Sequence, residues 1–443
     1  MKHTVFKLFV ACVLVLCLSL SLGILFTGPS EAGANERLSA APQLTDKEGN
    51  VNFNILSDTA AWVNDHFFFR QELISLNNWL TAKLTGTAVA DNVLLGSNGW
   101  LYYGSTVADF TGTDRLTDRE LYSIAKNISL MQEACEAQGK RFVFTVAPNK
   151  NSLYPDNMPD YGTVAQVRDA QRLELLLAQM GVDYADLFSA LGEAEETLYF
   201  AHDSHWNSQG AALGADVINE ALGRQSGYFA DAFARCQPHA GDLYEMLYPA
   251  LTDPETNPVY GGTLRFTYES KATKPDSITL LTAGGGEGAL LMYRDSFGNL
   301  LYPFLADSFA TCRFSRATAY DLTWEADFVV VEIVERNLRY LIENQSIYPA
   351  PERYILLPET SGKIELAPFD GKAPEGMIQV KGSLPEMPDT ESPVYVVCHD
   401  RAYEASLQGE NEFGAYLPYG AEVTGIAYYA GGELCLLEKQ ITK

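Results

Sequence analysis

"GALLMYRDSFGN", Gly288 to Asn299, is the stretch whose reading decides the fold. Its first half is an apolar run without polar alternation, which is the signature of a strand covered on both faces. Residues Gly298 to Phe309 then follow a helical pattern, so the segment reads as a strand, a tight turn and a helix. The same alternation continues on either side. "RFVFTVAP" (Arg141–Pro148), "VDYADL" (Val182–Leu187), "TCRFSRA" (Thr311–Ala317) and "ADFVVVEIVE" (Ala326–Glu335) read as further strands. Helical patterns over Thr117–Gln138, Val164–Met180 and Gln209–Leu222 fall between them. Buried strands alternating with helices predict an α/β fold in three layers with a mainly parallel sheet. In such sheets ligands bind beyond the carboxyl ends of the strands, where Asp295 and Ser296 lie.

Further out the character changes. Thr59–Leu84 reads as one helix, with Trp62, Phe67, Phe69, Leu73, Leu76 and Leu80 sharing a face, and "LLGSNGWLYYG" (Leu94–Gly104) as a hairpin turning at Asn98-Gly99. Beyond Pro349 prolines recur and short alternating strands predict a small β-sandwich. The organisation expected is a signal peptide or membrane anchor over residues 1–27, a linker over 28–50, an α/β catalytic domain over 51–348 and a β-sandwich-like accessory module over 349–443. Leu8 to Phe26 is an uncharged run near the minimum for a spanning helix, with Lys2 and Lys7 before it and a small-residue cleavage site at Ala32-Gly33-Ala34. That pattern places the body of the chain outside the cytoplasm, membrane-anchored or secreted. Of seven cysteines, Cys12 and Cys17 lie in the apolar run and the other five are widely spread without C-x-x-C spacing, which argues against a zinc ribbon or a disulfide-dense scaffold. Cys398 and Cys435 could pair within one module, though free thiols are the expectation. A net charge of -26 argues against a nucleic-acid partner.

A serine that ends a strand and opens a helix stands where backbone N–H groups can stabilise an oxyanion, although serine at a helix start is more often only a cap. Ser296 becomes a nucleophile only with a base. Of the six histidines, His239 and His399 have no acidic neighbour in sequence with an orienting role. Asp203-Ser204-His205, in "YFAHDSHWNSQGA", sets a carboxylate two residues from an imidazole just before a helix. Asp203 could orient His205, leaving Nε2 to take the proton of Ser296. A metal held by His202, His205 and Asp203 is the competing reading; metal sites need three or four protein ligands, and no H-E-x-x-H or second His/Asp cluster lies nearby in sequence. Trp206 reads as core or as the frame of the imidazole, and Asn207-Ser208 as caps of the following helix.

Six ordered motifs carry a resemblance: "GSNGWLYYG", "VAPNKNSLYPDNMP", "DSHWNSQGA", "GDLYEML", "RDSFGN" and "ADFVVVEIVERNL". Over roughly Trp62 to Ile342 the chain resembles the alginate O-acetyltransferase AlgJ/AlgX-like branch of the SGNH hydrolases, and within it the DHHW proteins. Ser204 stands where the DHHW string has its first histidine. The resemblance implies an SGNH-hydrolase-like fold, with Asp203 and His205 as the dyad and Ser296 as nucleophile. It also implies transfer of acetyl groups to a polysaccharide or other glycan, with a membrane-bound O-acyltransferase as donor partner. No cofactor or metal is expected, and acetylesterase activity is equally compatible. Asn149, Lys150, Trp206, Gly298 and Arg336 are candidate substrate contacts, Asn149 as a second oxyanion donor at the site rim. Arg336 could instead pair with Glu332 or Glu335. The alternative function is a non-catalytic surface protein that binds glycan.

Overall fold

A computed structural model describes residues 2–30, 36–46, 48–87, 92–231, 233, 235–366 and 373–440. The cleavage motif at 32–34 and part of the expected linker lie outside the described residues. The N-terminal helix α1 (Lys2–Thr27) contains an apolar stretch, Thr4–Ile24, long enough to cross a membrane. The single helix expected over Thr59–Leu84 is two: α2 (Ile55–His66) and α3 (Arg70–Thr85). The break was written in the pattern, because Phe67 and Phe69 are two apart, a spacing that one helix face cannot hold. Phe69 takes a left-handed φ of 60° at the junction.

The predicted hairpin pairs β1 (Val93–Leu95) with β2 (Leu101–Tyr103), and both Asn98 and Gly99 adopt the positive φ that a tight hairpin turn needs. The main sheet then assembles from β3 (Arg141–Ala147), β4 (Tyr184–Ala185), β7 (Phe266–Tyr268), β8 (Thr279–Gly284), β9 (Ala289–Tyr293), β10 (Thr311–Ser315) and β11 (Phe328–Val334). A separate antiparallel pair, β5 (Arg235–His239) and β6 (Glu255–Val259), lies beside it. The sheet order is β4-β3-β11-β9-β10-β8-β7. Strands β4 through β10 in that order run parallel, whereas β8 and β7 add antiparallel at one edge. The fold class is therefore α/β with a mixed, mostly parallel sheet.

Period-2 alternation sends each strand's side chains to two cores. Val143, Ala147, Leu290, Met292, Val330 and Val334 face helices α6 (Ser208–Ala221) and α7 (Gly298–Ser308). Phe142, Phe144, Leu291, Val329 and Val331 face α4 (Asp118–Glu136) and α5 (Asp169–Met180). Helix α5 starts later than the expected Val164, with Arg168 as its extended N-cap.

From Glu352 onward the chain forms a six-stranded and a three-stranded sheet around a third core. The described cysteines are free, including the pair Cys398 and Cys435.

Candidate active site

Strand β9 ends at Tyr293 and α7 begins at Gly298, so Ser296 lies in the turn at the carboxyl end of the sheet. Asp295 pins that turn. Its Oδ1 accepts from the Phe297 N–H (2.9 Å), and its Oδ2 accepts from the Val334 N–H at the end of β11 (2.8 Å). The Phe297 amide is thereby committed to Asp295, which narrows the set of turn amides able to meet an oxyanion. Beneath the turn, Asp295 N–H donates to Glu332 Oε2 at 3.2 Å. Burial, reinforced by the neighbouring Asp295 charge, pushes the Glu332 carboxyl well above the usual carboxylate range.

The histidine loop is held from below. Lys150 is buried, and its Nζ donates to the carbonyls of Phe200 (3.1 Å), Ala201 (3.1 Å) and Asp203 (2.6 Å). On the far side Asn207 caps α6, its side chain accepting from the N–H groups of Gln209 and Gly210. Between these anchors Asp203 Oδ1 accepts from the His205 main-chain N–H (2.9 Å) and from Nδ1 (2.6 Å). A carboxylate only accepts, so Nδ1 carries the hydrogen and Nε2 is left as an acceptor. His205 Nε2 lies 2.8 Å from Ser296 Oγ, within reach for proton transfer.

Charge follows geometry. Burial pushes the Asp203 carboxyl up, but the charge and hydrogen bonds of His205 and His239 outweigh it and hold Asp203 well below the usual carboxylate range. Burial likewise pulls His205 down, and the Asp203 charge and hydrogen bond more than offset it, so His205 is raised above its ordinary 6.5.

The sequence left His239 without an acidic partner, and the structure corrects this. Its Nε2 donates to Asp203 Oδ2 at 2.8 Å, across 36 residues of chain. Asp242, from the "GDLYEML" motif, adds its N–H to the same oxygen (3.2 Å), and its carboxylate accepts from Ser204 N–H and Oγ (both 2.8 Å). No local pattern announces either residue, because both arrive through tertiary structure. His399 also has an acidic neighbour, Glu422 at 3.3 Å, but on an exposed surface.

Ligand atoms of Asp203, His205 and Asp242 lie within 4.8 Å of one another, the one such cluster among the described residues. All four carboxylate oxygens already accept hydrogen bonds, so the cluster is satisfied by protein donors. His202 is outside it, with Nδ1 at 3.2 Å from the Asp253 carbonyl.

The softer candidates separate. Arg336 lines the cleft beside Ser296, packs over the rings of Tyr103 and Phe297, and donates to Asn149 Oδ1 (3.3 Å). Neither Glu332 nor Glu335 pairs with it: Glu332 takes Asp295 N–H, and Glu335 takes the N–H of Asn149 and the hydroxyl of Ser152. Asn149 is fully buried behind Arg336, and Lys150 is buried under the loop, so neither stands at the rim expected of it. The Trp206 indole is also fully buried, and its N–H donates to the Phe297 carbonyl (3.1 Å), tying the histidine loop to the serine turn. Gly298 makes room for protein rather than substrate: a Cβ there would lie 2.3 Å from Arg294 Cδ. Above these groups opens a cavity of about 930 Å³, walled by Tyr103, Ser105, Asp276, Arg316 and Tyr340 among others.

The family described as SGNH hydrolase-like domain, acetyltransferase AlgX, matches residues 93–284, a stretch that includes Asp203, His205 and His239 and stops short of Ser296. A probable alginate O-acetylase AlgJ of Pseudomonas syringae pv. tomato is 25% identical over 205 residues, 44% of this chain and 49% of the relative. The chain thus spans about half the length of that relative. Among solved structures, a DHHW family protein from Eubacterium siraeum aligns at 17% identity and TM-score 0.42, over 57% of this chain and 99% of that one. The O-acetyltransferase domain of Pseudomonas putida AlgJ aligns at 19% identity and TM-score 0.38, over 57% and 94%. Over residues 93–284, this chain is similar to the SGNH hydrolase-like domain of the AlgX acetyltransferase family.

Proposed function

We propose that the chain is an extracytoplasmic O-acetyltransferase that moves acetyl groups through Ser296 onto a cell-envelope or secreted polysaccharide. The observation that carries this reading is the continuous line from Asp203 through His205 to Ser296, with contacts of 2.6 and 2.8 Å. Ser296 Oγ attacks the acetyl carbonyl of the donor while His205 Nε2 takes its proton. The tetrahedral intermediate collapses, the donor oxygen leaves with that proton, and the acetyl group stays on Ser296. A sugar hydroxyl then gives its proton to His205 and attacks the acetyl-enzyme, and Ser296 Oγ departs reprotonated. Asp203 orients the imidazole and stabilises its cationic form. Arg336 is the cation placed to meet the developing oxyanion, steadied by Asn149.

The donor we infer is an acetyl group delivered at the membrane by an O-acyltransferase partner, with α1 holding the chain there. The 349–443 segment is read as an accessory module on the 51–348 catalytic unit. Water in place of the sugar would make the same site an esterase.

The test is turnover of an activated acetyl ester by the full chain in detergent, with and without an oligosaccharide acceptor. Ser296→Ala and His205→Ala should each lower kcat by about 10⁴-fold or more, and acetylated oligosaccharide should form only with wild type. Wild-type rates in both variants would leave the non-catalytic glycan-binding reading in place.

A further inference from the structure

We infer that His239 is a positioning residue of this site: through Nε2 it fixes the carboxylate whose other oxygen orients His205. The inference rests on the serine mechanism above. Asp203 is buried and directs Oδ1 wholly to His205, through the main-chain N–H and Nδ1. A carboxylate held by one oxygen can still rotate about its Cβ–Cγ bond, which would swing the imidazole away from Ser296. Oδ2 is what stops that rotation, and its donors are His239 Nε2 at 2.8 Å and the longer Asp242 N–H at 3.2 Å.

His239 is itself braced. It sits at the end of β5, opposite Glu255 of β6. Its ring stacks on Phe200 with centroids 3.9 Å apart and planes 9° from parallel. Glu255 in turn accepts from the N–H groups of Ala201 (2.7 Å) and His202 (2.8 Å), so one hairpin end clamps the histidine loop from Phe200 to Asp203. His239 also lines the active-site cavity, where solvent and substrate can reach it.

The charged and titratable groups facing this arrangement are Asp203, Asp242, Glu255, His205, Lys150 and Arg336. Removing the His239 donor leaves more of the Asp203 charge to His205. That strengthens the hold on the imidazolium and makes His205 harder to deprotonate.

His239→Phe keeps the stack on Phe200 and removes the donor, whereas His239→Gln offers an amide N–H in its place. With the full chain and an activated acetyl ester, His239→Phe should lower kcat roughly 10- to 100-fold with KM little changed. The acidic limb of its kcat/KM profile should move to higher pH. His239→Gln should recover part of both effects. A folded His239→Phe, or His239→Leu (which also lacks the donor) if His239→Phe does not fold, overturns the inference if it keeps the wild-type kcat and pH profile while Ser296→Ala is inactive. If Ser296→Ala is itself fully active, the serine mechanism fails first, and the readings are thereby told apart.

Discussion

Lys150 illustrates how much of this site is decided by single buried side chains. Three main-chain carbonyls of the histidine loop converge on its Nζ, which leaves none of them unpaired. Lys150→Met removes all three donors and should cost about 2–4 kcal/mol of stability, measurable by chemical denaturation, with acetyl-ester turnover falling alongside. Burial draws Lys150 down to about 7, partly opposed by Asp203, Glu255 and Asp242. A lysine that holds its proton less well folded than unfolded makes stability rise with pH, here between about 7 and its ordinary 10.5. That increment should vanish in Lys150→Met. For His205, the proposed base, the sign concerns activity: it must be neutral to act, and its pKa is raised above 6.5, so turnover should climb through a midpoint above 6.5. A midpoint below that value would contradict the arrangement. At this scale Asp203, His205 and Ser296 were legible because the dyad is local and the serine closes a readable strand. His239, Asp242 and the burial of Lys150 were not, since nothing in the sequence places residues 36 or 53 positions apart in contact.

The element that aims Ser296, the proposed nucleophile, is the β9–α7 turn against the end of β11. Asp295 bridges the two strands' ends, and Glu332 sits below it with a carboxyl pushed toward its neutral form. An uncharged amide should therefore substitute well. Glu332→Gln is expected to stay within about 1 kcal/mol of wild type, whereas Glu332→Leu leaves the buried Asp295 N–H unpaired and should cost about 1–3 kcal/mol; thermal melts of the two variants decide it. The central strands were readable because they are long apolar runs. Strands β7 and β8 were missed because they are short and half-polar, and they extend the sheet only by antiparallel pairing, β8 on β10 and β7 on β8. The α2–α3 break was missed although its aromatic spacing carried the signal.

Across the whole molecule, α4 joins the α/β layers to the C-terminal sheets. Asn127 donates to the carbonyls of Leu341 and Leu407 and accepts from Leu407 N–H, all in a buried setting. Arg119 donates to the carbonyls of Asp389, Thr390 and Ser392. These contacts make the C-terminal sheets part of the stability of the α/β body. Asn127→Leu should destabilise the chain by about 2–4 kcal/mol and lower the midpoint of a single shared transition. Two separate transitions in wild type would instead show independent units. The α/β class and the β-rich C-terminal part were visible from the sequence, whereas this polar seam was not, because it is made of isolated Asn and Arg residues on a helix face. All of these layers converge on Ser296, and the most direct measurement is its acylation. Full-length protein quenched in acid during turnover of an activated acetyl ester should carry one acetyl group on the peptide containing Ser296, accumulating when acceptor is withheld and discharged when oligosaccharide is added. An acetyl group absent from that peptide, with turnover continuing, would contradict the account.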